Sequence, residues 1–119
     1  MKCDKYRMVY SLDLNWPGLS DVPSQLDLFA HLSQLRMQFN GLTSVPSWMG
    51  QMTGLTLFDL SCNSLRGNVA PWAMPLRNAG KFTSLQLRNN GCLTDTGEAT
   101  NTWISALDPL WQNGCTPYV

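Results

Sequence analysis

Leu32-Ser33-Gln34-Leu35-Arg36-Met37-Gln38-Phe39-Asn40-Gly41-Leu42 carries the pattern from which the rest of the chain is read. Apolar residues stand at its first, fourth, sixth and eleventh positions, and an asparagine at its ninth. The spacing returns at Leu55, Phe58, Leu60, Asn63 and Leu65, and again at Phe82, Leu85, Leu87, Asn90 and Cys92. Upstream it appears at Val9, Leu12, Leu14 and Leu19, with Pro17 where the asparagine would be. The four starts are 23, 23 and 27 residues apart. Such a period marks stacked units, each too small to bury its own apolar face. Leu35 and Met37 point one way and Arg36 the other, the alternation of a strand. Strands stacked about 4.8 Å apart turn the inward residues of every unit into one core. The asparagine bends the chain inward, and its amide can satisfy backbone groups of that bend. Left unpaired and buried, each such group costs about 1–3 kcal/mol. Asn40, Asn63 and Asn90 are therefore expected to form a structural ladder.

The unit LxxLxLxxNxL, followed by Val22-Pro23 and again by Val45-Pro46, resembles the leucine-rich repeat family over roughly residues 9–92. The resemblance implies an α/β solenoid. About four short parallel strands would form its concave face, with an irregular or 3₁₀ convex side and a C-terminal cap helix. It divides the chain into an N-terminal cap remnant (1–8), four repeats (9–92) and a C-terminal cap (93–119). The returning segments repeat too. Pro23-Ser24-Gln25-Leu26 with Phe29 matches Pro46-Ser47-Trp48-Met49 with Met52, apolar spacing that suits a short 3₁₀ turn. The third unit, Asn63 to Pro71, is similar to the plant-type NxLxGxIP variant. Four extra residues follow around Trp72 to Gly80, where a bulge or longer outer loop is expected.

A solenoid needs its open ends covered. Cys3-Asp4 before Val9-x-x-Leu12-x-Leu14 is similar to the end of the N-terminal cap of extracellular family members. There a cysteine pairs with one further upstream. Here no cysteine precedes Cys3, so either it has another partner or the chain is part of something longer. Asn101 to Gln112 reads as a capping helix or two turns, its Trp103, Ile104, Leu107, Leu110 and Trp111 sealing the last rung. The flanking Cys92 and Cys115 resemble the cysteine-flanked C-terminal caps of secreted members, which implies a disulfide worth roughly 3–4 kcal/mol by loop closure. Two reduced thiols are the alternative in a reducing compartment.

Composition narrows the function. Eight Lys and Arg balance eight Asp and Glu, so the net charge is zero and there is no electrostatic footprint for nucleic acid or an anionic membrane. Charged residues make up 13% and hydrophobic ones 44%, the reverse of a disordered chain. The longest uncharged stretch, Met37 to Phe58, is broken by Gln38, Asn40, Gly41, Pro46, Gly50, Gln51 and Gly54, so no membrane contact is expected from this segment. The charged start, Met1 to Arg7, is not a secretory signal, and no Asn-x-Ser/Thr site occurs. The resemblance implies an extracellular or cell-surface place; the cytoplasm is the alternative.

No catalytic set emerges, so an enzyme is not expected. Four cysteines and His31 contain no Cys-x₂-Cys pair, and the repeat register separates them, so neither a metal nor a cofactor is expected. Cys62 is read as a free thiol and His31 as structural or solvated. No Gly-x-Ser-x-Gly motif or phosphate-binding glycine loop is present.

The slots between the inward residues form an exposed sheet face. Its ligand-binding candidates are Tyr10, Asp13, Trp16, Gln34, Arg36, Gln38, Phe39, Asp59, Gln86 and Arg88. In one column Asp13, Arg36 and Asp59 alternate in charge. Either they pair across rungs, contributing about 0.2–1 kcal/mol per contact, or Arg36 anchors a partner's carboxylate. Trp16 and Phe39 fall side by side at one edge, either as an interface hot spot or folded over the rim. This face points to protein or peptide recognition. The alternative is a structural repeat segment that self-associates or extends a longer solenoid.

Overall fold

A computed structural model describes residues 2–3, 8–15, 18–29, 31–91, 93–94 and 98–112. Trp16 and the expected Cys92–Cys115 bridge lie outside the described residues. In chain order come strand β1 (Lys2–Cys3), β2 (Val9–Asp13), a 3₁₀ turn (Ser24–Leu28), β3 (Gln34–Arg36) and a second 3₁₀ turn (Ser47–Gln51). There follow β4 (Leu57–Asp59), β5 (Gly67–Asn68), helix α1 (Ala70–Ala79), β6 (Ser84–Gln86), β7 (Leu93–Thr94) and helix α2 (Glu98–Leu107). The main sheet has the order β1-β2-β3-β4-β6. Its four repeat strands are parallel, and β1 adds an antiparallel strand to the open edge of β2.

Register follows the apolar spacing. Leu12, Leu35, Phe58 and Leu85 are direct partners along the sheet. Leu35, Phe58 and Leu85 are wholly buried, as are Met37, Leu60 and Leu87 two residues on. Leu12, on the first rung, is partly buried against the same core. Beyond each strand one asparagine ties two rungs together. Asn63 Oδ1 accepts the Leu42 N–H at 3.2 Å, while Nδ2 donates to Met37 O at 2.8 Å and to Leu60 O at 2.9 Å. Asn40 does the same for Leu19 N–H, Leu14 O and Met37 O. Asn90 serves Leu65 N–H, Leu60 O and Leu87 O. The Met37 and Leu60 carbonyls thus each receive two asparagine side chains, and the bends are buried with their polar groups paired.

After Asn90 the chain passes against the preceding rung with no room for a side chain. A Cβ at Gly91 would lie 2.8 Å from the Leu65 carbonyl oxygen, a fixed backbone atom. Gly91→Ala is expected to destabilise by about 2 kcal/mol or more, as overpacking does. The same change at Gly41, whose Cβ would stand 3.6 Å from Leu19 O, should cost far less. Thermal melts of the two variants compare them directly.

The returning segment of the third unit departs from expectation. The insertion is an α-helix rather than a bulge or loop. Pro71 in the first turn is compatible with a helix start, and Gly80, at φ 70°, closes the end with its N–H on Arg77 O and Leu76 O. Pro75 removes one internal bond, but Trp72, Ala73 and Leu76 are buried on the inner face, and the Trp72 ring meets Phe58 edge-on at 5.8 Å. Packing outweighs the interior proline. Gly50 lets the helix approach closely, for a Cβ there would lie 3.0 Å from Pro75 Cγ. Just before α1, β5 pairs in parallel with β7 of the next unit, a second small sheet beside the first.

The terminal helix also ends earlier than its sequence pattern suggests. α2 stops at Leu107, before Asp108-Pro109. The residue ahead of a proline is pushed away from helical geometry. Ile104 and Trp111 are buried and Trp103 meets Phe82 edge-on at 5.8 Å, whereas Leu110 is 45% exposed and takes no part in the seal.

Candidate functional site

The exposed face of the main sheet is built from the outward positions of β2, β3, β4 and β6. Backbone pairing sets Ser11, Gln34, Leu57 and Ser84 in one row and Asp13, Arg36, Asp59 and Gln86 in the next. Gln34, Arg36, Leu57, Asp59 and Gln86 are half-buried, and Asp13 is exposed. Leu57 gives the centre of the face an apolar floor between Gln34 and Ser84. Its place in the third slot was visible in the repeat alignment, but a lone leucine among polar residues did not stand out.

Of the alternating column, only the row is realised. No ion pair within 4 Å joins Arg36 to Asp13 or Asp59, and the one ion pair among the described residues lies elsewhere. Each carboxylate is held by its own turn, and that of Asp59 also by Gln38 of the preceding rung. Asp13 Oδ1 accepts the Asn15 N–H at 3.0 Å. Asp59 Oδ1 accepts the Ser61 N–H at 3.0 Å and the Ser61 hydroxyl at 2.7 Å, and Oδ2 accepts from Gln38 Nε2. Short Asx contacts two residues away cost less ordering than a contact between rungs, so they take the carboxylates first. Arg36 is left at mid-face without a carboxylate among the described residues.

Arg88 is engaged at the end of the stack. Its guanidinium reaches Asp108 at 2.5 Å, beyond α2. Asp108 is wholly buried, and its Oδ2 accepts the Leu87 N–H at 3.0 Å. In the earlier rungs the corresponding N–H groups of Leu14, Met37 and Leu60 donate to the carbonyls of Arg36, Asp59 and Gln86 on the next strand. The Asp108 carboxylate therefore stands in for the carbonyl of an absent rung, and Arg88 holds it there. Arg88 is a structural side chain.

A further column is also structural. The hydroxyls of Ser33, Thr56 and Thr83 donate to the carbonyls of Tyr10, Ser33 and Thr56 at 3.1–3.2 Å, each one rung back. Tyr10 is half-buried at the head of this ladder. The eighth slot shares an unusual backbone. Phe39, Cys62 and Asn89 have φ of 60°, 59° and 62°, the left-handed region that side chains other than asparagine and glycine rarely enter. Phe39 is 40% exposed there. Cys62 is a half-buried free thiol that accepts from Asn89 Nδ2 at 3.6 Å.

Chemically the face offers one cation, amides, a short apolar floor and an edge aromatic. His31 is exposed on the approach to β3. Among the described residues no three His, Cys, Asp or Glu side chains converge as a metal site would require, and no helix is long and apolar enough to cross a membrane.

No family model matches the sequence, and no curated protein matches it. Solved structures do. The fold is similar to the crystal structure of a pollen receptor kinase 3, with a TM-score of 0.64 and 26% identity, over 77% of this chain and 44% of that one. It is also similar to the LRR ectodomain of the receptor kinase SOBIR1 from Arabidopsis thaliana, with a TM-score of 0.63 and 24% identity, over 86% of this chain and 52% of that one. The chain spans about half the length of each.

Proposed function

Because this chain is a leucine-rich repeat protein, we propose that it is a non-catalytic module that recognises a protein or peptide with its concave sheet face, at the cell surface or outside the cell. The observation that carries the reading is Arg36. It lies at the middle of the face, half-buried, with the flanking carboxylates of Asp13 and Asp59 bound to their own turns. A partly desolvated guanidinium in that position suits a carboxylate from a partner. Gln34 and Gln86 add adaptable amides around it, Gln38 an amide already bonded to Asp59, Leu57 an apolar contact, and Phe39 an edge anchor. Tyr10, Asp13 and Asp59 border the same surface.

Both sheet edges favour recognition over extension of a longer solenoid. β1 covers the edge of β2, and Asp108 occupies the hydrogen-bonding position that a fifth repeat strand would use. The proteins that share the fold are receptor ectodomains or receptor kinases by name, which agrees with a surface role.

Selection of peptides from a random displayed library on the intact protein tests the proposal. Selected peptides should be acidic. Arg36→Glu should weaken them at least tenfold, and Phe39→Ser severalfold, while Ser24→Ala on the convex side changes nothing. Peptides indifferent to both concave changes would place recognition on another surface.

A further inference from the structure

On the convex side, an open cleft of about 250 Å³ lies between the outer turns of the first and second rungs. Asp27 and Phe29 line one wall; Trp48, Gln51, Met52 and Thr53 line the other. Trp48 is half-buried: part of its surface packs on the core and part lines the cleft. Met49 fills the buried position of its turn, as Leu26 does one rung earlier, and the position equivalent to Trp48 on that earlier turn is the exposed Gln25. Asp27 is the only charged residue of the lining, is exposed, and has no ion-pair partner among the described residues. The main-chain carbonyls of Phe29 and Met52 are taken by the N–H groups of Leu32 and Leu55, so side chains set the chemistry of the walls.

We propose that this cleft takes the guanidinium of an arginine side chain from a partner polypeptide, stacked against the Trp48 and Phe29 rings with its N–H donors on Asp27. Two aromatic rings and a thioether favour a flat, weakly hydrated cation, and an unpaired carboxylate supplies the countercharge. The volume is below the about 300–1,000 Å³ of sites for drug-sized ligands, which suits one side chain. The site lies across the core from the concave face and does not depend on it.

The test titrates the full chain with the peptide Gly-Gly-Arg-Gly-Gly and with its neutral citrulline counterpart. The readout is the Trp48 indole N–H and Gly54 amide resonances, with the indole assigned by Trp48→Phe. The arginine peptide should move both resonances saturably in the millimolar range, and the citrulline peptide at least threefold more weakly. Asp27→Asn, at an exposed position that leaves the fold intact, should weaken the arginine peptide about threefold and remove its salt dependence. Arg36→Glu should leave this binding unchanged. The proposal is overturned if the citrulline peptide binds as well, if Asp27→Asn has no effect, if Arg36→Glu abolishes the response, or if neither resonance moves.

Discussion

Asp108→Ala should lower stability by about 2–4 kcal/mol, a shift in melting temperature on the order of 10 °C. The cost lies mainly in the backbone. The carboxylate is the acceptor for the Leu87 N–H, in a residue with no solvent exposure, and also faces the Leu110 N–H at 3.3 Å. Alanine leaves the first of these donors buried and unpaired. The lost ion pair adds less, because the Arg88 side chain is 37% exposed and can turn to water. Two further variants separate the contributions. Asp108→Asn keeps an acceptor for Leu87 and removes the charge, so it should lose only about 1–2 kcal/mol. Arg88→Met should lose about 1 kcal/mol or less. Chemical denaturation of the three proteins measures the order. Equal losses for Asp108→Ala and Asp108→Asn would mean that the charge, not the substitute carbonyl, holds the last rung.

Asn63→Ala is expected to cost about 2–4 kcal/mol, and Asn89→Ala about 1 kcal/mol or less. Asn63 is 2% exposed, and its removal leaves the Leu42 N–H without an acceptor and a void between rungs. The Met37 and Leu60 carbonyls each keep one asparagine, from Asn40 and Asn90, which moderates the loss. Asn89 is exposed and, among the described residues, its side chain has only the weak contact to Cys62; its substitution mainly forces alanine into left-handed backbone. Asn63→Asp sharpens the comparison. It keeps the acceptor but turns a carboxylate toward two carbonyl oxygens, so it should be no better than alanine. Melting temperatures that coincide for Asn63→Ala and Asn89→Ala would mean that the asparagine side chains do not tie the rungs.

The sheet was legible because its cause is periodic. Leu35, Phe58 and Leu85 recur at a spacing that only one register satisfies, and a one-residue slip would expose the whole row. Helix α1 was not, since Pro71 and Pro75 read locally as breakers while the burial of Trp72 and Leu76 that outweighs them is tertiary. Gly80 was its one readable sign. The Asp108 seal joins residues 21 apart in sequence, and nothing local in Asp-Pro distinguishes it from an ordinary cap. On the exposed sheet face the row of Asp13, Arg36 and Asp59 was visible. Where the carboxylates turn was not, because the choice between a neighbouring rung and a turn two residues away depends on side-chain geometry. The left-handed eighth slot was hidden for a similar reason. Phe39 and Cys62 carry no preference for that backbone, and only Asn89 does.

That shared backbone gives the molecule three evenly pitched mounting points along one rim, each about 4.8 Å from the next. Substituents placed at residues 39, 62 and 89 leave the main chain at one common angle, whatever their chemistry. A label fixed at one of the three positions, with the exposed Cys3 replaced, would report how far a bound molecule reaches along the stack.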